Sequence, residues 1–170
     1  MMNKNDETKI LLDSDVVRHF LNGGQLNKLA SIFPARFVML DKVKNELLRS
    51  KSLVQAINHF LNSSSIEIIP FPTNMEIIIE YAYLNRRFGV GESACMAVAK
   101  HHKQYIASSN LNDIKEFCSR NEIKYYTTMD ILVEALNKNI LNMDECNEFI
   151  REVKVKGSKL PVSNMEEYLK

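Results

Sequence analysis

Several acids stand where a short apolar run stops or a helix begins. Asp13 closes KILLD (9–13) and is followed by Ser14 and Asp15. Glu46 lies in DKVKNELLRS (41–50), just after the run RFVML (36–40). Glu92 follows Gly91 in VGESACMAVAKHH (90–102), and SSNLNDIKEF (108–117) adds Ser108, Ser109, Asn110, Asn112 and Asp113. Carboxylates brought to one place repel one another unless a cation neutralises them. Hard oxygen donors of this kind suit Mg²⁺ or Mn²⁺. One such ion, or a pair, supports hydrolysis of a phosphodiester by in-line attack of water.

Each residue also has an ordinary structural use. Asp or Ser ahead of VVRHFL is helix-capping chemistry, but a cap needs one such residue and three stand there. Asp15 or Ser14 can cap while Asp13 serves elsewhere. Glu46 lies three residues after Val43 and beside Leu47, so it falls partly on an apolar helix face. Glu92 in a first helical turn is favoured by the helix dipole. The residues around it, Gly91, Ser93, Ala94, Cys95, Ala97 and Ala99, are small and let the helix press closely on its neighbours, which would shield Glu92. Asn110, Asn112 and Asp113 are turn and cap residues as well as oxygen donors.

Basic residues flank these acids. Lys42, Lys44, Arg49 and Lys51 surround Glu46; Arg86 and Arg87 precede Glu92. Such clusters are usually solvated faces, but beside an acidic cleft they would hold a phosphate backbone. His19, on the first helix, reads as structural. Cys95, Cys118 and Cys146 form no CxxC pair and lie in apolar helical contexts, as buried free thiols of a reducing cytosol do.

The elements that must position these residues alternate. Short apolar runs at 9–13, 36–40, 65–71, 104–109 and 123–128 read as strands, the first with no polar alternation, as in a buried parallel sheet. Helical patterns lie between them: 16–21, 26–33, 43–48 with 53–61, a long helix capped by Thr73 or Asn74, 92–103, 112–120 and 131–136. In the long helix, Met75, Ile78, Ile79, Ala82 and Tyr83 stand at one-face spacing. A further helix at 144–153 carries Cys146, Phe149, Ile150 and Val153 on one face, and the tail after it is polar and broken by Gly157 and Pro161. Five strands separated by helices imply an α/β fold, a parallel sheet with helices on both faces. Sites in such folds lie beyond the carboxyl ends of the strands, where the acids are.

Composition agrees. The 170 residues are 45% apolar and 25% charged, with 22 Lys plus Arg against 21 Asp plus Glu. A net charge of +1 excludes a strongly basic nucleic-acid coat and an acidic solvating tail. The apolar run near the start stops at Asp13, too short for a secretory signal or a membrane span, so a cytoplasmic protein is expected.

Taken together these motifs resemble the PIN-domain family, metal-dependent ribonucleases that include toxin subunits of bacterial toxin–antitoxin pairs. KILLDSDVV resembles the opening strand with the first metal-binding Asp and a small hydroxyl residue, here Asp13 and Ser14. DKVKNEL resembles the second motif, with Glu46 as its acid. GESACMAVAKHHKQYIASSN resembles the Gly-Glu variant of the third, with Glu92. SSNLNDIKEF resembles the fourth in its Asn form, with Asn110 and, beside it, Asp113. The resemblance implies a three-layer α/β/α sandwich, a five-stranded parallel sheet in the order 3-2-1-4-5, and an extra C-terminal helix. It divides the chain into a PIN-like catalytic domain at 9–136 and a C-terminal extension at 137–170.

The activity it implies is Mg²⁺- or Mn²⁺-dependent cleavage of RNA. Asp13, Glu46, Glu92, Asn110 and Asp113 would hold the metal, and Lys42, Lys44, Arg86 or Arg87 the phosphates. RNA is the expected substrate, with a protein antitoxin and a second copy of the chain as further partners and no membrane. Two other readings share some of these residues. Asn110 stands where many members have Asp, and Ala94 where many Gly-Glu variants have a second acid; both suit a non-catalytic PIN-like module that binds RNA or a partner. Asp13-Ser14-Asp15-Val16-Val17 also fits the opening of haloacid-dehalogenase-like phosphatases, but no Lys or adjacent acidic pair follows at the later strand end, and Glu46 and Glu92 go unexplained.

Overall fold

The structure, a computed structural model, describes residues 6–170. Five parallel strands form one sheet in the order β3-β2-β1-β4-β5: β1 Ile10–Leu12, β2 Phe37–Leu40, β3 Glu67–Ile69, β4 Tyr105–Ala107 and β5 Tyr125–Tyr126. This is the expected order. β1 is central and completely buried, which is why ILL carries no polar alternation. The ladder runs past β1: the Asp13 amide donates to the Ala107 carbonyl at 2.9 Å, so the backbone of Asp13 is fixed by sheet pairing.

Two groups of helices cover the sheet. α1 Ser14–Asn22, α2 Leu26–Ile32, α8 Thr128–Asn137, α9 Met143–Val155 and α10 Met165–Tyr168 pack together. So do α3 Asp41–Leu48, α4 Val54–Ser63, α5 Met75–Leu84, α6 Val90–His102 and α7 Leu111–Arg120. The C-terminal helix α9 docks on α1 as its apolar face predicts, with Cys146, Phe149, Ile150 and Val153 all buried. Phe149 meets Phe20 edge-on at 4.9 Å and lies against Gly23, where an added Cβ would come within 2.2 Å of the ring. The broken tail does more than its polarity suggests. α10 buries Met165, and the Tyr168 hydroxyl donates to Asp130 Oδ1 at 2.8 Å.

The face that the one-face spacing of α5 picks out is not the buried one. On α5 the side chains turned inward are Ile77 and Leu84, while Met75, Ile79 and Tyr83 are more than 60% exposed and Ile78 is 38% exposed. The helix is apolar on nearly every side, so periodicity alone does not select the buried face. Contact with α6 selects it instead. A stripe of large apolar side chains is left on the surface. The three cysteines are buried and unpaired, as their contexts indicate. Among the described residues no helix is long and apolar enough to cross a membrane.

Candidate active site

In the order β3-β2-β1-β4-β5 the chain steps outward on one side of β1, then returns to build β4 and β5 on the other. The gap at the carboxyl ends of β1 and β4 is therefore the crevice of this sheet. Asp13, Ser14 and Asp15 leave β1 there, and Ser108, Ser109 and Asn110 leave β4. A cleft of about 210 Å³ opens at this point, lined by Asp13, Ser14, Asp15, Glu46, Gly89, Glu92 and Asn110.

Asp13 occupies the N-cap position of α1, yet its Oδ1 accepts only from the adjacent Ser14 amide, at 2.8 Å. Asp13 as a whole is 4% exposed. Burial first, then the charges of Asp15, Glu92 and Glu46, push its pKa well above the usual carboxylate range.

Glu46 has both oxygens engaged. Oε1 accepts from Ser14 Oγ at 2.7 Å and Oε2 from the Gly91 amide at 2.8 Å, so one side chain ties α3 to the starts of α1 and α6. A Cβ at Gly91 would lie 2.6 Å from Glu46 Oε2 and 3.4 Å from Asp13 Oδ1. These two carboxylates thus close on the same point from two elements. The residue must be glycine because of this approach.

Glu92 projects from the first turn of α6. Its Oε1 is buried with no hydrogen-bond partner. Burial, then the charges of Asp113 and Asp15, raise its pKa to about 8. The small residues that follow, Ser93, Ala94, Cys95, Ala97 and Ala99, are essentially inaccessible, and they let α6 lie close to the sheet. Cys95 lies so near the cluster that burial and the four acids Asp13, Asp15, Glu46 and Glu92 hold it as the neutral thiol.

Asp15 is the residue that sequence reasoning left as a cap. It accepts from the Val16 amide at 2.7 Å, which is cap-like. Its other oxygen accepts from the Ser109 amide at 2.8 Å and from Ser108 Oγ at 3.4 Å, which spans the crevice. Burial raises its pKa. The signal was the crowding of three oxygen side chains into a position that needs one.

Asn110 borders the cleft and donates from Nδ2 to Asp113 Oδ2 at 2.5 Å. Asp113 stands beside the cleft, close enough to act on Glu92, and lines the groove next to it. Arg86 and Arg87 line that same groove. Lys42 points elsewhere, over the rings of Phe71 at 5.0 Å and Tyr81 at 4.7 Å. Lys44 lines neither the cleft nor the groove. Asp41, the acid nearest the end of β2, is occupied by the amides of Lys42 at 2.7 Å and Phe71 at 3.1 Å. His19 is structural. Its Nδ1 pairs with Thr128 Oγ1 at 2.8 Å, Thr128 pairs with Ser109 Oγ at 2.6 Å, and burial lowers its pKa.

A family model described as DUF3368, PIN domain, matches residues 9–170. The chain belongs to this PIN-domain family. The match runs to the last residue and so includes the segment carrying α9 and α10. Among curated proteins there is no match. A solved PilT N-terminus domain protein from the hyperthermophilic archaeon Sulfolobus solfataricus P2 is similar at 12% identity and a TM-score of 0.46, over 75% of this chain and 92% of that one. Membership in the PIN family leaves the haloacid-dehalogenase reading without support.

PIN domains are generally nucleases that use divalent metals, and the donors here fit such an ion by their chemistry. They are hard carboxylate oxygens, they carry more negative charge than the buried site can hold ionised, and Glu92 Oε1 has no partner. Among the described residues no three His, Cys, Asp or Glu side chains stand at metal-holding distances as they are. Glu46, with both oxygens bonded to protein, is the least available of the set.

Proposed function

We propose that this chain is a Mg²⁺- or Mn²⁺-dependent endoribonuclease that hydrolyses RNA phosphodiester bonds, and that it acts as the toxin of a toxin–antitoxin pair. The observation that carries the ribonuclease reading is the meeting of Asp13, Asp15, Glu46 and Glu92 around one cleft at the crevice of the sheet. A bound divalent ion supplies an activated water and neutralises charge on the phosphate. Asp13 is the principal ligand because sheet pairing fixes its backbone. Asp15, tied to Ser109, holds the opposite wall. Glu92, with its free oxygen, completes the charge and can carry a proton near neutral pH. Glu46 positions Ser14 and Gly91, and so sets the distance between α1 and α6. Asn110 adds a neutral amide at the edge and keeps Asp113 oriented. Arg86 and Arg87 meet the phosphate backbone.

The test is cleavage of structured and unstructured RNA by the purified protein with Mg²⁺, Mn²⁺ or EDTA, beside Asp13→Asn. Cleavage that needs the metal and is lost in a folded Asp13→Asn protein supports the reading. RNA left intact under every condition overturns it and favours the non-catalytic binding module. Expression of the wild-type protein, but not of Asp13→Asn, should arrest growth. Without arrest the toxin role falls and the ribonuclease role stands on cleavage alone. The antitoxin of this scheme would cover the acidic cleft.

A further inference from the structure

Next to the acidic cleft lies a second concavity, with Arg86 and Arg87 on its wall. It has a volume of about 390 Å³, within the range of roughly 300–1,000 Å³ of small-ligand sites. Its wall on one side is the end of α5 and the following turn, with Leu84, Arg86, Arg87 and Phe88; on the other it is α7, with Asp113, Glu116, Phe117 and Arg120. Leu84 is buried beneath it, while Phe88 and Phe117 are half-buried and present part of their rings.

The charges here divide in two. Lys100 is held by Glu80 at 2.7 Å, and Arg120 is paired with Glu116 one helical turn away. Arg86 and Arg87 make no ion pair among the described residues. Both are exposed, and the Arg87 guanidinium stands over the Phe88 ring at 5.3 Å from its centroid. An aromatic surface with an arginine plane above it and a second uncommitted arginine beside it suits a flat, aromatic group attached to a phosphate. Asp113, on the wall of the concavity, is hydrogen-bonded to the cleft residue Asn110.

Resting on the ribonuclease reading above, we infer that this groove binds the base of one unpaired nucleotide outside the two that the scissile phosphate joins, stacked against Phe88, Phe117 and the Arg87 plane, with its phosphate on Arg86. Stacking accepts every base, so the groove selects for an unpaired nucleotide more than for a sequence. Base-paired RNA cannot enter, because its bases are stacked on one another.

Steady-state cleavage of an unstructured RNA octamer and of a dinucleotide containing only the scissile linkage tests this. Phe88→Ala and Phe117→Leu should each raise KM for the octamer about tenfold and leave the dinucleotide rate unchanged, since the dinucleotide does not reach the groove. Phe117→Leu keeps apolar volume and so guards against a folding defect in Phe88→Ala, and Arg87→Ala, at an exposed residue, should raise KM for the octamer as well. An abasic octamer should lose affinity at one flanking position only, and Phe88→Ala should then add nothing to that loss. If the variants cleave the octamer with unchanged KM, or if Arg87→Ala weakens it while abasic substitution at every position is without effect, the groove does not hold a base. If wild type cleaves neither substrate, the ribonuclease reading fails instead, and the two failures are told apart by that control.

Discussion

The Gly91 amide donates to Glu46 Oε2 at 2.8 Å, and a methyl group on Gly91 would stand 2.6 Å from that same oxygen. Glycine is needed here for proximity, since its backbone is helical. Gly91→Ala should therefore leave the fold nearly as stable as before. The gain of up to about 1 kcal/mol in helix propensity offsets part of the crowding. The cost should appear in the site, because Glu46 must move, and the added Cβ would also stand 3.2 Å from Val43 Cγ2 and 3.4 Å from Asp13 Oδ1. The expected result is a Tm within a few degrees of wild type and a loss of metal-dependent cleavage of about tenfold or more. Thermal melts and single-turnover cleavage of the same preparation measure both.

The raised carboxyl pKa values make stability depend on pH in a defined direction. Glu92 has a folded value of about 8 against an ordinary value of 4.5, and Asp13 and Asp15 are displaced the same way. Between those two pH values the folded protein holds a proton that the unfolded chain has released. Stability without metal therefore falls as pH rises from about 4.5 to about 8 and levels off above that. At about 1.4 kcal/mol per pKa unit the change is on the order of a few kcal/mol. Denaturant melts in EDTA from pH 5 to 9 should show the decline, and Glu92→Gln should flatten it. A stability that climbs across this window would contradict the assignment. Mn²⁺ has to displace the same proton, so its stabilising effect should grow with pH.

On α5 the two neighbours Ile77 and Ile79 face opposite environments, 2% and 62% exposed. Truncating Ile77 to Ala should cost about 2–5 kcal/mol, through lost burial and a residual cavity. The same truncation at Ile79 should change stability by no more than about 0.5 kcal/mol. Urea denaturation of the two variants in parallel checks the register of the helix.

The fold was legible because its signals were strong and local. ILL and FVML read as buried parallel strands, Gly23 and Gly24 stop α1, and strand–helix alternation leaves few topologies. Local signals did not show which side of α5 is buried, since MEIIIEYAYL is apolar around its circumference and only packing against α6 decides. Nor did they show that a polar tail would form α10 and bury Met165. At the site, the types of Asp13, Glu46 and Glu92 were readable, but their commitments were not. That Glu46 has no free oxygen, that Lys42 rests on two aromatic rings, and that Asp15 bonds across to the β4 end are facts of distance between segments more than 25 residues apart in the chain.

Direct titration with Mn²⁺ by isothermal calorimetry, at pH 7.5 in two buffers of different ionisation heat, tests the central claim that these acids hold a divalent cation. Wild type should bind at least one ion and release protons as it does so, because Glu92, with a pKa of about 8, retains its proton in the metal-free protein. Asp13→Asn should weaken binding about tenfold or more while melting at or above the wild-type temperature. Wild-type protein that takes up no Mn²⁺ at millimolar concentration, or Asp13→Asn protein that binds it equally well, would contradict the account.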